Sequence, residues 1–265
     1  MLNIMWALLS STISSFGMVL QKKGIKWISW KKNKQQDFRK PFITWLIGIL
    51  LAYIISAIPM GIASKTLPPH IITAMSGWGI VVIVILSFFL LKEHIFLSDV
   101  FYSLIIVGCT IMIGLFSEPM AIVEENFFLM LLLFIAPSLF ILPIFFKSLS
   151  RKVKATLLSI FSGSMGGVAI VYFNMLVRQY FTHGILGIPM NILTLYILAA
   201  ISGAIAEQAS YKIGEMTVVA SIRLSLFIVY PVLCSIVLYK AQFNILQFIS
   251  IALIIISCYY IFKKR

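Results

Sequence analysis

About nine runs of mostly apolar residues, each close to 20 residues long, follow one another along this chain, with short polar segments between them. An α-helix needs about 20 predominantly apolar residues to cross the hydrocarbon core of a bilayer. The runs cover residues 2–20, 42–64, 71–91, 97–116, 127–146, 154–177, 192–211, 216–239 and 245–262, and residues 179–190 are predicted to form a loop. The pattern therefore predicts an all-α polytopic membrane protein with about nine transmembrane helices.

The composition excludes an ordinary soluble domain. Hydrophobic residues make up 61% of the chain and charged residues 11%, with a mean hydropathy of +1.06. Soluble domains are about half apolar and about a quarter charged. A soluble core of this length cannot bury the excess, so much of it must face lipid. We expect one transmembrane domain over residues 1–265.

The basic residues predict how the chain is oriented. The net charge is +13, and most Lys and Arg residues lie in segments 22–40, 147–154 and 263–265. Basic connections remain on the cytoplasmic side, and nine alternating spans bring all three segments to that side. The acidic connection with Glu118, Glu124 and Glu125 then falls outside. We expect a cytoplasmic (inner) membrane protein with its N-terminus outside and its C-terminus in the cytoplasm.

The basic residues do not form a domain separate from the apolar runs, so no nucleic-acid partner is expected.

A weak internal repeat divides the chain in two. The small-residue stretch 14–17 resembles 163–167, and the hairpin ending at residues 90–93 resembles the one ending at 238–241, both about 150 residues apart. The first repeat would cover 2–116, a linking helix 127–146 and the second repeat 154–262. A single linking helix inverts the second repeat, which is the architecture of many secondary transporters. The alternative is that any two helices rich in Leu and Ile look alike.

Several segments resemble one known family. They are the small-residue stretch that ends in Lys22-Lys23-Gly24, the segments 67–69 and 91–93 around the third run, and residues 207–212. In this order they are similar to the drug/metabolite transporter superfamily (EamA-like), closest in look to its NIPA-type magnesium transporter branch. The resemblance implies an inverted-repeat fold and a transport role. The branch carries a Gly-Glu pair and an Asn in its second helix, where residues 51–59 here hold neither acid nor amide.

Two ionisable residues, Glu207 and Arg223, lie within predicted spans. Such groups cost roughly 2.5–3.5 kcal/mol each inside a bilayer. A turn is predicted near residues 213–215, and a rise of about 1.5 Å per residue places both side chains about 10 Å from it, so that they can meet. We interpret them as a pair that binds substrate or couples a proton. The alternatives are a structural pair between two helices, or an arginine that reaches the cytoplasmic interface.

Further polar residues are candidates for the same cavity. Tyr211 shares a helix face with Glu207, and Gln208 lies one residue beyond it. The others are Asn174, Ser14, Ser15 and Trp78. For most of these, bonding or close packing between helices is the competing interpretation. His70 is expected at the outer interface.

No enzyme motif is found, and neither a metal site nor a cofactor is expected. The leading hypothesis is a secondary transporter of a small solute that acts by alternating access. One alternative is a NIPA-like transporter of magnesium or another divalent cation, and another is a non-transporting membrane scaffold subunit. The expected partners are a small-molecule or ion substrate and membrane lipid, with a second copy of the chain as a candidate for a homodimer.

Overall fold

The computed structural model describes residues 2–25, 39–115, 126–145, 149–239 and 244–263, which form helices and no strand. Each predicted apolar run contains a helix. The helices are α1 (Leu2–Gly24), α2 (Arg39–Ser64), α3 (Pro69–Leu91), α4 (Leu97–Leu115), α5 (Phe127–Phe140), α6 (Arg151–His183), α7 (Met190–Ile213), α8 (Met216–Tyr239) and α9 (Ile245–Lys263).

Within the described residues, six helices are long and apolar enough to cross a membrane: α1, α2, α3, α6, α7 and α8. The apolar parts of α4, α5 and α9 are shorter. Many large apolar side chains of these helices lie on the outer surface of the protein, where a soluble chain would have polar ones. The fold is therefore that of a membrane-embedded, multi-pass helical protein.

The predicted end of the sixth helix at residue 177 is wrong. Helix α6 continues to His183, so the connection to α7 is only residues 184–189, with one short 3-10 turn. The polar residues after Val177 are compatible with a helix, whereas Gly184 has φ 70. With ψ −165 as well, Gly184 has a backbone conformation that essentially only glycine adopts, and the helix ends there.

Helices α1 and α2 cross with their backbones in contact. A Cβ on Gly17 would lie 2.6 Å from the Ala52 nitrogen and 2.7 Å from the Gly48 carbonyl oxygen. A Cβ on Gly48 would meet the backbone of α1 equally closely. Small residues permit such close approach between membrane helices.

Helix α5 is bonded to the second half of the chain at the point where its proline interrupts it. The α-helical part ends at Ile135 and continues as a 3-10 helix. Pro137 has no N–H, so the Leu133 carbonyl lacks its usual donor four residues on. The Tyr230 hydroxyl of α8 donates to that carbonyl at 2.9 Å.

The two halves of the chain pack in similar ways. Helix α1 packs against α2 and α3, and helix α6 packs against α7 and α8. Helices α4 and α9, the last of each half, pack against each other.

Some predictions concern residues outside the described part of the chain. These include most of the basic segment 22–40, Lys147, the end of the 238–241 hairpin, and the acidic residues Glu118, Glu124 and Glu125. The predicted orientation depends on these residues and remains a prediction.

Candidate functional site

A cavity of about 160 Å³ lies between the two halves of the chain. Helices α1, α2 and α3 line it from one side, and α6, α7 and α8 from the other. Much of the wall consists of small side chains, which leave space where larger ones would pack. Examples are Ser11, Ser15, Ala52, Ser162 and Gly166.

Glu207 of α7 and Arg223 of α8 form an ion pair on the cavity wall. Arg223 Nη2 lies 3.0 Å from Glu207 Oε2, and the two side chains are only 8% and 1% exposed. The short turn at residues 214–215 reverses the chain between α7 and α8, so the two residues come to the same depth, as the sequence predicts.

Two tyrosine hydroxyls complete the surroundings of the Glu207 carboxylate. Tyr211, one helical turn along α7, donates to Oε1 at 2.5 Å. Tyr53 of α2 donates to Oε2, which also faces Arg223. The carboxylate thus has three hydrogen-bonding partners, one on each of the helices α2, α7 and α8. Hydrogen bonds to a charged acceptor are each worth about 1.5–3 kcal/mol.

Tyr53 was missed from the sequence. It lies in the middle of an apolar run, whereas tyrosines in membrane helices are enriched at the two interfaces. That unusual position is the signal that could have identified it. Its side chain is 36% exposed along the edge of the cavity, although its hydroxyl contacts Glu207.

Arg223 keeps unused hydrogen-bonding capacity. A guanidinium has five N–H donors. Nη2 meets Glu207, and Nη1 donates to the Met18 sulfur at 3.4 Å, which is a weak acceptor. Arg223 Nε is buried and has no hydrogen-bond acceptor in the described part of the chain. The ion pair is therefore single-pronged, and the two-pronged geometry that arginine offers to carboxylates is not used.

Gln208 connects helices rather than lining the cavity. Its carbonyl oxygen accepts from Trp45 Nε1 at 2.8 Å, and its amide donates to Gln21 Oε1. Gln21 in turn donates to the Gly48 carbonyl at 3.1 Å. This chain of amides joins α1, α2 and α7, so the geometry favours the helix-bonding interpretation for Gln208.

Two polar side chains hold helix ends of the opposite half. Lys22 of α1 donates to the carbonyl oxygens of Tyr211 and Gly214, at the end of α7. Asn174 of α6 donates to the carbonyl oxygens of Ser64 and Leu67, at the end of α2, at 3.3 and 3.1 Å. We call these contacts the Lys22 clamp and the Asn174 clamp. Each satisfies carbonyls that a helix end leaves without intrahelical donors.

Glu93 caps the start of α8. Its carboxylate accepts from the Met216 and Thr217 backbone nitrogens at 2.8 and 3.1 Å, and from the Thr217 hydroxyl at 2.7 Å. An acidic group stabilises the positive end of a helix dipole. Glu93 therefore fixes the start of α8 to the turn that follows α3.

The remaining predicted residues fall in two groups. Ser14 and Ser15 line the cavity, and Ser14 donates to the Ala52 carbonyl at 3.4 Å. Trp78 lies outside the lining, is 43% exposed, and donates through Nε1 to the Thr12 hydroxyl at 3.2 Å. The expectation that His70 lies at the interface is wrong, because its side chain is buried and faces Ser235.

The chain was compared with known proteins. It matches no protein-family model, no curated protein and no solved structure. The geometry of the cavity and its ion pair is therefore the basis for the functional conclusion.

Proposed function

We propose that this chain is a secondary transporter that moves a small solute across a membrane by alternating access. The observation that carries the proposal is the buried Glu207–Arg223 pair on the wall of a central cavity. Ionisable side chains within membrane helices are costly, and they commonly mark substrate or ion pathways. A purely structural pair would not need a cavity beside it.

The position of the cavity supports the proposal. Helices α1, α2 and α3 belong to the proposed first repeat, and helices α6, α7 and α8 to the second. Transporters with inverted repeats bind substrate near the bilayer midplane at the interface of the repeats. The pair on α7 and α8 faces Tyr53 on α2, so both proposed repeats contribute polar groups to one site.

The two clamps support an inverted repeat. In each clamp, the first helix of one half bonds the end of the second helix of the other half. In each, the two accepting carbonyls are three residues apart. Since the clamps hold equivalent turns of opposite halves, they are suited to act as gates at opposite ends of the cavity. Alternating access would require one clamp to open while the other stays closed.

The number of spans, the orientation, the location and the family are proposed from the sequence. We propose nine membrane spans, an N-terminus outside, a C-terminus in the cytoplasm and a location in the cytoplasmic membrane. The drug/metabolite transporter superfamily is the proposed family. Its support is the order of the resembling segments together with the similar packing of the two halves.

The carboxylate geometry favours an organic solute over a divalent cation. Hard cations bind several oxygen ligands. Both oxygens of Glu207 already accept hydrogen bonds or face Arg223, and the guanidinium would repel a cation at that place.

The test is ligand binding followed by transport. Purified protein in detergent is heated with a panel of Mg²⁺, amino acids, nucleotide sugars, lipophilic cations and small carboxylates. A ligand that binds only the folded state raises the unfolding temperature. Each ligand that does so is then measured for exchange across liposomes that contain the protein. We expect at least one class to exchange, and Arg223→Lys to impair its exchange.

Trp78→Phe is the matched control, because it alters a large side chain outside the cavity. It should fold and exchange the ligand as the unaltered protein does. Exchange that is unchanged in both Glu207→Gln and Arg223→Lys would contradict the assignment of the site. Absence of exchange for every ligand in the panel would contradict the transport function.

A further inference from the structure

In the Glu207–Arg223 pair, the carboxylate can lose its charge and the guanidinium cannot. A carboxylate in an apolar site can take up a proton and lose its charge, whereas a guanidinium remains charged in proteins. Protonation of Glu207 therefore removes the charge that balances Arg223. A buried cation would then remain on the cavity wall, and it would require another anion.

The unused donors of Arg223 suit such an anion. Nε has no acceptor within the described residues, and Nη1 has only the Met18 sulfur. A planar carboxylate can accept two parallel hydrogen bonds from one edge of a guanidinium. Nε and Nη1 do not share an edge of the guanidinium, and each forms an edge with Nη2. A second carboxylate can therefore bind in a two-pronged way at the edge that Glu207 leaves open, through Nη2 and one of these two donors.

Among the described residues that line the cavity, Glu207 is the group suited to carry the proton. The groups that face it are Tyr53 from α2, Tyr211 on its own helix and Arg223 from α8. The residues that line the cavity from α1, α3 and α6 are uncharged. With the pair intact the site is neutral. A bound monoanion would give it a net negative charge, and one proton on Glu207 would restore neutrality.

We propose that the cavity binds one small monoanion of the carboxylate class together with one proton, with the proton on Glu207 and the anion on Arg223. This inference depends on the proposed transport function, whose substrate and coupling ion it names. A cavity of about 150 Å³ holds a molecule the size of benzene. The cavity of about 160 Å³ therefore fits a compact carboxylate.

Proton uptake on binding is the direct test. Acetate, lactate and benzoate serve as the monoanions, alanine as a zwitterion and tetramethylammonium as a cation. Each is added to the full-length protein in weakly buffered detergent with a pH indicator, and binding is measured in parallel by calorimetry. We expect a monoanion to bind with uptake of about one proton, and its Kd to rise about tenfold per unit of increasing pH in the neutral range.

Two variants separate proton coupling from structural damage. Glu207→Gln resembles the protonated acid, so it should bind the same monoanion without proton uptake and with a Kd that no longer depends on pH. Arg223→Lys keeps the positive charge but loses the planar fork, so its Kd should rise at least about tenfold. Both variants are checked for folding by their unfolding temperature and by gel filtration.

The outcomes separate this inference from the proposed function. Binding of a monoanion without proton uptake overturns the inference, as does proton uptake that persists in Glu207→Gln. Failure of all three monoanions to bind at millimolar concentrations also overturns it. If alanine or tetramethylammonium instead binds and exchanges across liposomes, the transport function stands and the substrate class is wrong.

Discussion

The two members of the buried ion pair should differ in what their loss costs. Glu207→Leu leaves Arg223 without its carboxylate, and within the described part of the chain the Met18 sulfur is then its one hydrogen-bond acceptor. Arg223→Met leaves Glu207 with two tyrosine donors, at Tyr53 and Tyr211. Leu is close in size to Glu, and Met is shorter than Arg but keeps most of its aliphatic volume, so the comparison reports charge more than lost volume.

The expected free energies follow from this asymmetry. An uncompensated buried charge costs about 3–5 kcal/mol, and the guanidinium cannot escape this cost by losing its proton. Glu207→Leu should therefore lower the free energy of unfolding by about 3–5 kcal/mol. The carboxylate of Arg223→Met keeps its hydroxyl donors and can also be protonated. Its loss should be close to that of one charge-assisted hydrogen bond, about 1.5–3 kcal/mol.

The double variant Glu207→Leu/Arg223→Met should be more stable than Glu207→Leu alone. Replacing a whole buried pair by apolar side chains of similar volume is often neutral or stabilising. The assay is reversible unfolding in mixed detergent micelles, followed by circular dichroism, with the four proteins forming a double-mutant cycle. A larger loss for Arg223→Met than for Glu207→Leu would refute the reasoning, as would a double variant no more stable than Glu207→Leu.

Three further predictions use the same unfolding measurement. Gly17→Ala places a Cβ against the α2 backbone and should cost about 1–3 kcal/mol of unfolding free energy. In the matched control Gly108→Ala the new Cβ meets nothing within 4 Å, so this variant should be neutral or stabilising. Equal losses in the two variants would contradict the close α1–α2 crossing. Glu93→Gln should cost about 1 kcal/mol, because the cap of α8 loses its charge, and no loss would argue against the cap. Tyr53→Phe should cost about 1.5–3 kcal/mol, because it loses a hydrogen bond to a charged acceptor. Trp78→Phe loses one neutral hydrogen bond, to Thr12, and should cost less, about 0.5–1.5 kcal/mol; the reverse order would contradict the described surroundings of Glu207.

The ion pair of the candidate site could be predicted because its two residues are close together in the sequence. Glu207 and Arg223 are charged residues in apolar runs, and they flank one short turn. Helical rise alone therefore brings them to the same depth. Ser14 and Ser15 were also predicted at the cavity, since small residues on a membrane helix allow either packing or space.

Other parts of the site could not be predicted by the same reasoning. Tyr53 reaches Glu207 across 154 positions of the sequence, and Asn174 reaches Leu67 across 107. Nothing in the local pattern of α2 or α6 indicates which helix lies opposite. Gln208 follows Glu207 directly, yet one residue turns it by about 100° around the helix, towards Trp45 and away from the cavity.

The sequence by itself determined the helices, because a chain in lipid must satisfy its backbone hydrogen bonds within each segment. Apolar length therefore sets where most of a span lies, although α6 continues past its apolar run as far as His183. Only the tertiary structure decided which faces meet, because lipid and neighbouring helices are almost equally apolar and give no hydrophobic preference between them. Close packing at Gly17 and Gly48, together with a few long-range hydrogen bonds, makes that choice, and with it assembles the cavity around Glu207 and Arg223.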